Sequence, residues 1–295
     1  GMKAAELRQS ILQAAMRGKL ILQNPQDEPA SELLKRIQKE KARLIRAGKL
    51  KKEASLPPIT EDEIPFDLPD GWVWCRLGNL GDVQSSKRVF VSEFVDDGIP
   101  FYRCTEVGAL STGKKIVPKY HITDEHYYDL INHTGKPIVG DLLMPSICPD
   151  GRIWLVDTDE PFYFKDGRVL WIHLVENHLN NRYIQQALKA RLISDYKNIA
   201  SGTTFAELKI FLLKEVAIPL PPLHEQNRII SKLDELLALC DELEIEEKKL
   251  DALEAHFTEY LPKAILQAAV QGKLVPQNSH DEPASELLKR IQQEK

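Results

Sequence analysis

The chain has 295 residues, 43% of them apolar, which is enough for one or two domains with a packed core. Its formal net charge of −5 argues against a protein that attracts polyanions through its overall charge. Any contact with a polyanion must therefore come from a local basic patch. No apolar run approaches the length of a transmembrane helix and no signal peptide is evident. We therefore expect a cytoplasmic protein without a membrane partner.

The cysteines favour neither a zinc site nor a disulfide framework. Cys75, Cys104, Cys148 and Cys240 are scattered without Cys-x-x-Cys spacing. The run Asp124–His126 also lacks the spacing of metal ligands. We therefore expect reduced thiols, no metal and no cofactor.

An internal repeat is the strongest feature of the sequence. Segments Ile11–Lys41 and Ile265–Lys295 are identical at 24 of 31 positions, with an offset of 254 residues. Solenoid repeats recur every ~20–50 residues, so this period excludes a solenoid and indicates one module boundary used twice. We call the two segments copy one and copy two.

Each copy is predicted to form a helix, a loop and a second helix. In copy one the first helix ends near Gly18, and the second begins at Asp27–Pro29, where an acid and a proline suit a helix N-terminus. This second helix carries an apolar stripe and stops near Gly48. The equivalent helix of copy two reaches the end of the sequence, which is consistent with a natural half or with a fragment of a double-length chain. The stripe consists of Leu33, Leu34 and Ile37.

Residues 56–71 form a Pro-rich linker, and residues 72–220 are predicted to form a mixed α+β domain. Asn180–Ser194 is predicted to be a helix, and Leu208–Ile218 carries the chain back out of the domain. The predicted strands are short apolar or alternating runs bounded by turns. They are Trp72–Leu77, Ile99–Arg103, Ile138–Met144, Ile153–Asp157, Phe162–Phe164 and Val169–Leu174.

A long helix is predicted between Pro221 and Pro262. A helix over 223–260 would be about 57 Å long, and we expect Pro262 to break or kink it. Its apolar residues follow heptad spacing, which favours a coiled-coil arm over the alternative of an ordinary amphipathic core helix. The seam consists of Ile229, Leu233, Leu236, Cys240, Leu243, Leu250, Phe257 and Leu261, with Glu247 and Glu254 at the remaining positions.

The predicted fold class is therefore α+β, with a globular mixed domain plus a long α-helical coiled-coil spacer arm. The predicted segments follow one another without gaps. They are the first helical repeat at 1–55, the linker at 56–71, the mixed domain at 72–220, the spacer helix at 221–262 and the second helical repeat at 263–295.

Three motifs, in order, resemble the specificity subunit of type I restriction–modification systems. They are DLPDGWVWCRLGNLGDV at 67–83, EVAIPLPPLHEQNRIISKLDELL at 215–237, and ILQAAxxGKLxxQNxxDEPASELLKRIQ in both copies. The resemblance covers nearly the whole chain and is weakest over 84–200.

This resemblance implies a non-catalytic protein that partners double-stranded DNA, methyltransferase subunits and, through them, restriction subunits. Such subunits carry two target-recognition domains, each reading half of a bipartite site, separated by paired helices. This sequence has one such domain, at 72–220, and thus resembles a half-subunit. We expect it to act with a second copy, or with a second recognition half, through the coiled coil.

Residues that would contact DNA are predicted from chemistry, because the resemblance does not identify them. Bases are read by Arg, Lys, Asn, Gln, Ser and Thr, and phosphates are bound by Lys, Arg and hydroxyl groups. For each cluster, the alternative is a solvated surface loop. The candidates are Gln84, Ser86, Lys87, Arg88, Arg103, Thr105, Lys114, Lys115, Lys119, Tyr120, Ser146, Arg152, Ser201, Thr203 and Thr204.

Enzyme function is the weakest hypothesis. The sequence lacks the Asn/Asp-Pro-Pro-Tyr/Phe motif of adenine methyltransferases and the Walker phosphate loop. Glu207-x-Lys209 resembles part of a nuclease motif, but the nearest Pro-Asp pair, at 149–150, is distant, so we interpret it as chance. A coiled-coil scaffold whose middle domain binds protein is the second hypothesis.

Overall fold

The computed structural model describes residues 2–202 and 206–294, apart from the side chain of Met2. It contains two compact units, one of residues Glu6–Ala238 and one of Gly1–Ala5 with Leu239–Lys295. No helix within the described ranges has a stretch both long and apolar enough to cross a bilayer.

The helices alternate with short strands in the middle of the chain and dominate both ends. They are α1 (Met2–Met16), α2 (Ala30–Arg46), α3 (Leu77–Leu80), α4 (Cys104–Leu110), α5 (Asp124–Thr134), α6 (Asn181–Ile199), α7 (Ile210–Glu215), α8 (Leu223–Val270) and α9 (Ala284–Gln293).

Short strands form separate small sheets. They are β1 (Val73–Arg76), β2 (Gly81–Gln84), β3 (Ile99–Tyr102), β4 (Tyr120–Ile122), β5 (Leu142–Pro145), β6 (Trp154–Leu155), β7 (Tyr163–Phe164), β8 (Val169–Leu174) and β9 (Ala217–Leu220). The sheet orders are β1-β9, β2-β8-β5-β6 and β4-β3-β7. All pairs are antiparallel except β3 with β7.

Burial explains why these segments form these elements. β8 is a run of apolar and aromatic residues lying between β2 and β5, and five of its six residues are buried. Helix α6 starts where the Asn180 side chain accepts a hydrogen bond from the Tyr183 backbone N–H. The Tyr183 side chain is fully buried, and its hydroxyl donates to the Pro219 carbonyl at 2.7 Å. This bond ties α6 to β9.

The predicted mixture of helix and strand is confirmed, and the element bounds differ in part. Val169–Leu174 is a strand as predicted, whereas the predicted strand Ile138–Met144 is wrong in its first half, because β5 begins at Leu142. Helix α6 passes the predicted end at Ser194 and reaches Ile199, with non-helical backbone angles at Asp195.

Helix α8 extends beyond the bound predicted for it. It is 48 residues long and contains Pro262, so of the predicted break or kink the break does not occur, and the kink stays a prediction. The helix fits the predicted spacer arm. Its apolar seam is buried early, at Leu233, and exposed later, at Leu250 and Phe257. The pairing of this exposed seam in a coiled coil stays a prediction.

The loop of copy one packs against the Pro-rich linker and the start of α8. Gly18 has φ +67° and an added Cβ would lie 2.3 Å from Pro69 Cγ, so only glycine fits this approach. The Gln23 side chain donates to Glu225 at 3.1 Å, and Asp27 pairs with Arg228 at 2.6 Å. The loop is therefore joined to the first turns of α8.

Helix α2 of copy one completes the same core. The Ala30 N–H donates to the Gly71 carbonyl at 2.8 Å. Leu33 and Ile37 are buried in the main core, which also holds residues of α6, β8 and α8. The Lys41 ammonium donates to carbonyl groups of Gly78 and Gly81. The predicted apolar stripe of this helix therefore faces the middle domain.

Copy two has the same residues at these contact positions, yet its apolar side chains are exposed. Leu287 is 51% exposed and Ile291 is 47% exposed, whereas their equivalents in copy one are 1% and 0% exposed. Gly272 has φ +67°, like Gly18. The backbone conformation of the glycine is thus the same in both copies, whereas the apolar stripe is buried only in copy one.

Candidate nucleic-acid interface

The turn Lys165–Arg168, between β7 and β8, is the point at which several predicted clusters meet. Its backbone is held by hydrogen bonds with a side chain and a backbone group of distant segments. The Gly167 N–H donates to Ser85 Oγ at 2.8 Å, and the Arg168 carbonyl accepts a hydrogen bond from the Ser146 N–H at 2.8 Å. Gly167 has φ +64°, a conformation that glycine adopts without strain. The turn is therefore a fixed platform.

The loop after β2 lies against this turn. Ser86 Oγ donates to the Phe164 carbonyl at 2.6 Å, so the hydroxyl holds the loop in place. Arg88 pairs with Asp166 at 3.3 Å, while the Lys87 side chain is exposed. These residues belong to the first predicted cluster, which consists of Gln84, Ser86, Lys87 and Arg88.

The start of α4 also contacts the Lys165–Arg168 turn. Cys104 Sγ donates to the Arg168 carbonyl at 3.0 Å. Arg103 pairs with Glu106 at 2.7 Å, and the Thr105 hydroxyl also donates to Glu106. Burial acts to raise the pKa of the Glu106 carboxyl, but the hydrogen bonds from Arg103 outweigh it and hold the pKa below its usual value. The hydrogen bonds to Glu106 thus fix the orientation of the Arg103 guanidinium.

The ring of Tyr120 contacts two cations. The guanidinium of Arg103 is 5.1 Å from the centre of its ring, and the ammonium of Lys119 is 5.3 Å from it. Both distances suit a cation–π contact. Phe94 stacks on the same tyrosine with ring centres 4.7 Å apart. The structure therefore joins two predicted clusters into one basic and aromatic patch.

Ser146 and the segment after α6 are joined by a carboxylate. Ser146 Oγ donates to Glu207 Oε1 at 2.9 Å, and Arg168 Nη1 lies 3.6 Å from the same oxygen. The backbone of Ser201 exchanges hydrogen bonds of 3.0 and 2.7 Å with that of Glu207. The two remaining candidates of this segment, Thr203 and Thr204, lie outside the described residues.

Arg152 and the lysine pair take different positions. Arg152 pairs with Asp150 at 2.8 Å, and its guanidinium lies against Gly108 in α4. Lys114 and Lys115 are exposed and follow the C-terminal end of α4, whereas Arg103 precedes its N-terminal end. The structure therefore brings Arg152 to α4 but leaves the lysine pair at the far end of that helix.

Four arginines around the turn each have a carboxylate partner. A carboxylate both fixes the direction of a guanidinium group and cancels its charge. Such an arrangement favours directional recognition of base edges over a strong attraction for phosphates. The pairs are Arg88–Asp166, Arg103–Glu106, Arg152–Asp150 and Arg168–Glu207.

Sequence reasoning missed three residues of this site, namely Lys165, Arg168 and Glu207. The first two belong to a Lys-Asp-Gly-Arg run between two predicted strands, and Asp-Gly is a strong turn signal that was available in the sequence. Glu207 was dismissed as a chance match to a nuclease motif. No local signal connects it with Ser146 and Arg168, because only the fold brings these three together.

The described part of the chain contains no group of three or more His, Cys, Asp and Glu residues placed to hold a metal ion. All four cysteines are free, and Cys104 is the only one of them that is not buried.

A family model and several relatives match the sequence of this chain. A family model described as the type I restriction modification DNA specificity domain matches residues 69–255. The chain is 34% identical to the specificity subunit of the type I restriction enzyme EcoAI of Escherichia coli, over 98% of this chain and 55% of that protein. It is 31% identical to the EcoEI specificity subunit of Escherichia coli, with the same coverage of 98% and 55%. The chain thus spans about half the length of these curated relatives.

A solved structure supports the fold. The chain matches a solved structure with a TM-score of 0.50 and 20% identity. That structure is described as the structural basis underlying complex assembly and conformational transition of the type I R-M system. The match covers 92% of this chain and 58% of that one. The family model covers more than half of the chain, and it does not favour the scaffold hypothesis. The chain therefore belongs to the family of type I restriction–modification DNA specificity proteins.

Proposed function

We propose that this chain is the DNA-reading part of a type I restriction–modification complex. Its domain at 72–220 reads one half of a bipartite site, and its helices set the distance between two readers and bind methyltransferase subunits. Restriction subunits join through the methyltransferase subunits. The chain itself catalyses no reaction.

The observation that carries this proposal is the meeting of distant segments at the Lys165–Arg168 turn. The loop after β2, the start of α4, Ser146 and Glu207 all contact this turn or its neighbours. Arginine, lysine, serine and tyrosine side chains there match the chemistry that reads bases and binds phosphates. A solvated loop would not require four segments to be fixed together.

The same proposal requires a second recognition domain as a partner of the one in this chain. Copy two offers the glycine, the glutamine, the aspartate and the apolar stripe by which copy one binds the middle domain. A second copy of this chain, or a second recognition half, presents the surface that these residues fit. The exposed seam of α8 supplies a further contact for the pair.

The test is co-expression of the chain with candidate methyltransferase subunits, followed by sequencing of modified bases in the host DNA. We expect a purified complex and methylated adenines within one bipartite sequence. A matched culture without the chain should lack this methylation. Absence of both the complex and the methylation would overturn the proposal.

The lysine pair provides a specific prediction. Changing Lys114 and Lys115 to glutamate should weaken binding to all DNA sequences alike, because exposed lysines contact phosphates. The slope of log affinity against log salt should fall in magnitude by about 2, or about 1 for each lost phosphate contact. Fluorescence anisotropy across a salt series measures both effects.

Changing Lys51 and Lys52 to glutamate is the matched control, because this pair is also exposed and makes the same change in charge. The control should bind DNA as the wild type does. Equal weakening by both double variants would show a general charge effect and remove Lys114 and Lys115 from the proposed interface.

A further inference from the structure

We infer that Arg168 is a specificity-determining residue that recognises guanine in the major groove, and that Glu207 is its positioning residue. This inference rests on the proposed function and extends it to a residue outside the predicted clusters. Arginine binds guanine through two parallel hydrogen bonds to O6 and N7, the most common specific contact of this side chain with DNA.

Among the four paired arginines, Arg168 has the longest distance to its carboxylate partner. Arg103 gives two of its side-chain N–H groups to Glu106, and its face covers Tyr120. Arg168 lies 3.6 Å from Glu207, which is too far for a hydrogen bond but close enough for the charge to orient it. Its side chain is 58% exposed. Glu207 therefore directs Arg168 without consuming its donors.

Several hydrogen bonds fix the backbone at Arg168. Its carbonyl accepts hydrogen bonds from the Ser146 N–H and from Cys104 Sγ, and the preceding Gly167 N–H donates to Ser85. Glu207 is itself held by Ser146 Oγ at 2.9 Å. A fixed backbone and a fixed carboxylate partner restrict the guanidinium before binding, so it loses less conformational entropy when it meets a base.

A phosphate contact is the competing role for the same side chain, and the two roles differ in what they change. Loss of a base contact relaxes the preference at one position of the site, whereas loss of a phosphate contact weakens binding to every sequence alike. A randomised duplex library therefore separates them.

The experiment selects duplexes from this library with the full chain in its complex with methyltransferase subunits, followed by sequencing. Wild type should prefer guanine at one position, and Arg168→Gln should reduce that preference roughly tenfold while other positions keep theirs. Glu207→Gln should reduce it less, with an unchanged melting temperature. Arg43→Gln is the control, since Arg43 forms a similar exposed pair with Glu40 away from the turn.

Each outcome bears on the inference. Selective loss at one guanine in Arg168→Gln supports it. An unchanged preference, or uniform weakening of all sequences, overturns it and leaves the proposed function intact. If the wild-type complex selects no sequence at all, the proposed function fails, and the role of Arg168 fails with it.

Discussion

Replacing Ile37 with aspartate is expected to unfold the unit formed by residues 6–238. Ile37 is 0% exposed in the main core, so the variant must bury a carboxylate or open the packing around α2. The cost should exceed about 4 kcal/mol, a large fraction of the stability of an ordinary domain. Urea denaturation followed by tryptophan fluorescence measures this loss.

The equivalent substitution in copy two, Ile291→Asp, is the matched control. Ile291 is 47% exposed, so the change should alter the free energy of unfolding by less than about 0.5 kcal/mol. It should instead weaken association with a second copy, as measured by sedimentation velocity over a concentration series. Equal destabilisation by the two variants would contradict the difference in burial between the copies.

Replacing Arg76 with alanine is expected to destabilise the same unit by about 3 kcal/mol, because it removes a buried charge that organises several acceptors. The Arg76 guanidinium donates to the Glu63 carboxylate at 2.5 and 2.9 Å. It also donates to the carbonyl groups of Pro57, Pro58 and Glu215. This single side chain holds the Pro-rich linker against the end of α7.

The Arg76 variant should also respond differently to acid. The hydrogen bonds from Arg76 lower the pKa of Glu63 from 4.5 to about 2. Because the folded-state pKa is depressed, this stabilisation is present above pH 4.5 and is lost as the pH falls towards 2. Denaturation midpoints measured between these values should therefore fall less steeply in Arg76→Ala than in wild type.

An exposed pair gives the control for this prediction. Arg43→Ala breaks a pair with Glu40 at the surface and should leave the free energy of unfolding nearly unchanged. If Arg76→Ala costs no more than Arg43→Ala, the linker is not held by Arg76.

The helical part of the fold could be predicted from sequence because its signals are local. Gly18 follows α1 with a positive φ that glycine adopts without strain, and Pro29, whose ring fixes φ, directly precedes α2. Pro262 misled the prediction. A proline costs one helical hydrogen bond and a steric clash, and α8 continues through it, so its neighbouring turns outweigh that local cost.

The candidate site could be predicted only in pieces. Arg103, Tyr120 and Ser146 were found because their residue types suit DNA, but their mutual arrangement depends on the pairing of β3 with β4 and β7. Parallel pairing of β3 with β7 joins segments about sixty residues apart, which no periodicity indicates. Asp166 and Glu207 were missed as partners for the same reason, since they meet Arg88 and Arg168 only after folding.

The pairing of β1 with β9 has an evolutionary consequence. Val73 lies opposite Leu220, so the chain enters and leaves the middle domain at one point. A foreign sequence inserted between Arg76 and Ala217 would need to bring its ends to this two-stranded ribbon and to present an apolar surface to α2. Replacing the segment between these strands would leave the entry and exit of the chain at the same place, an arrangement that suits exchange by recombination.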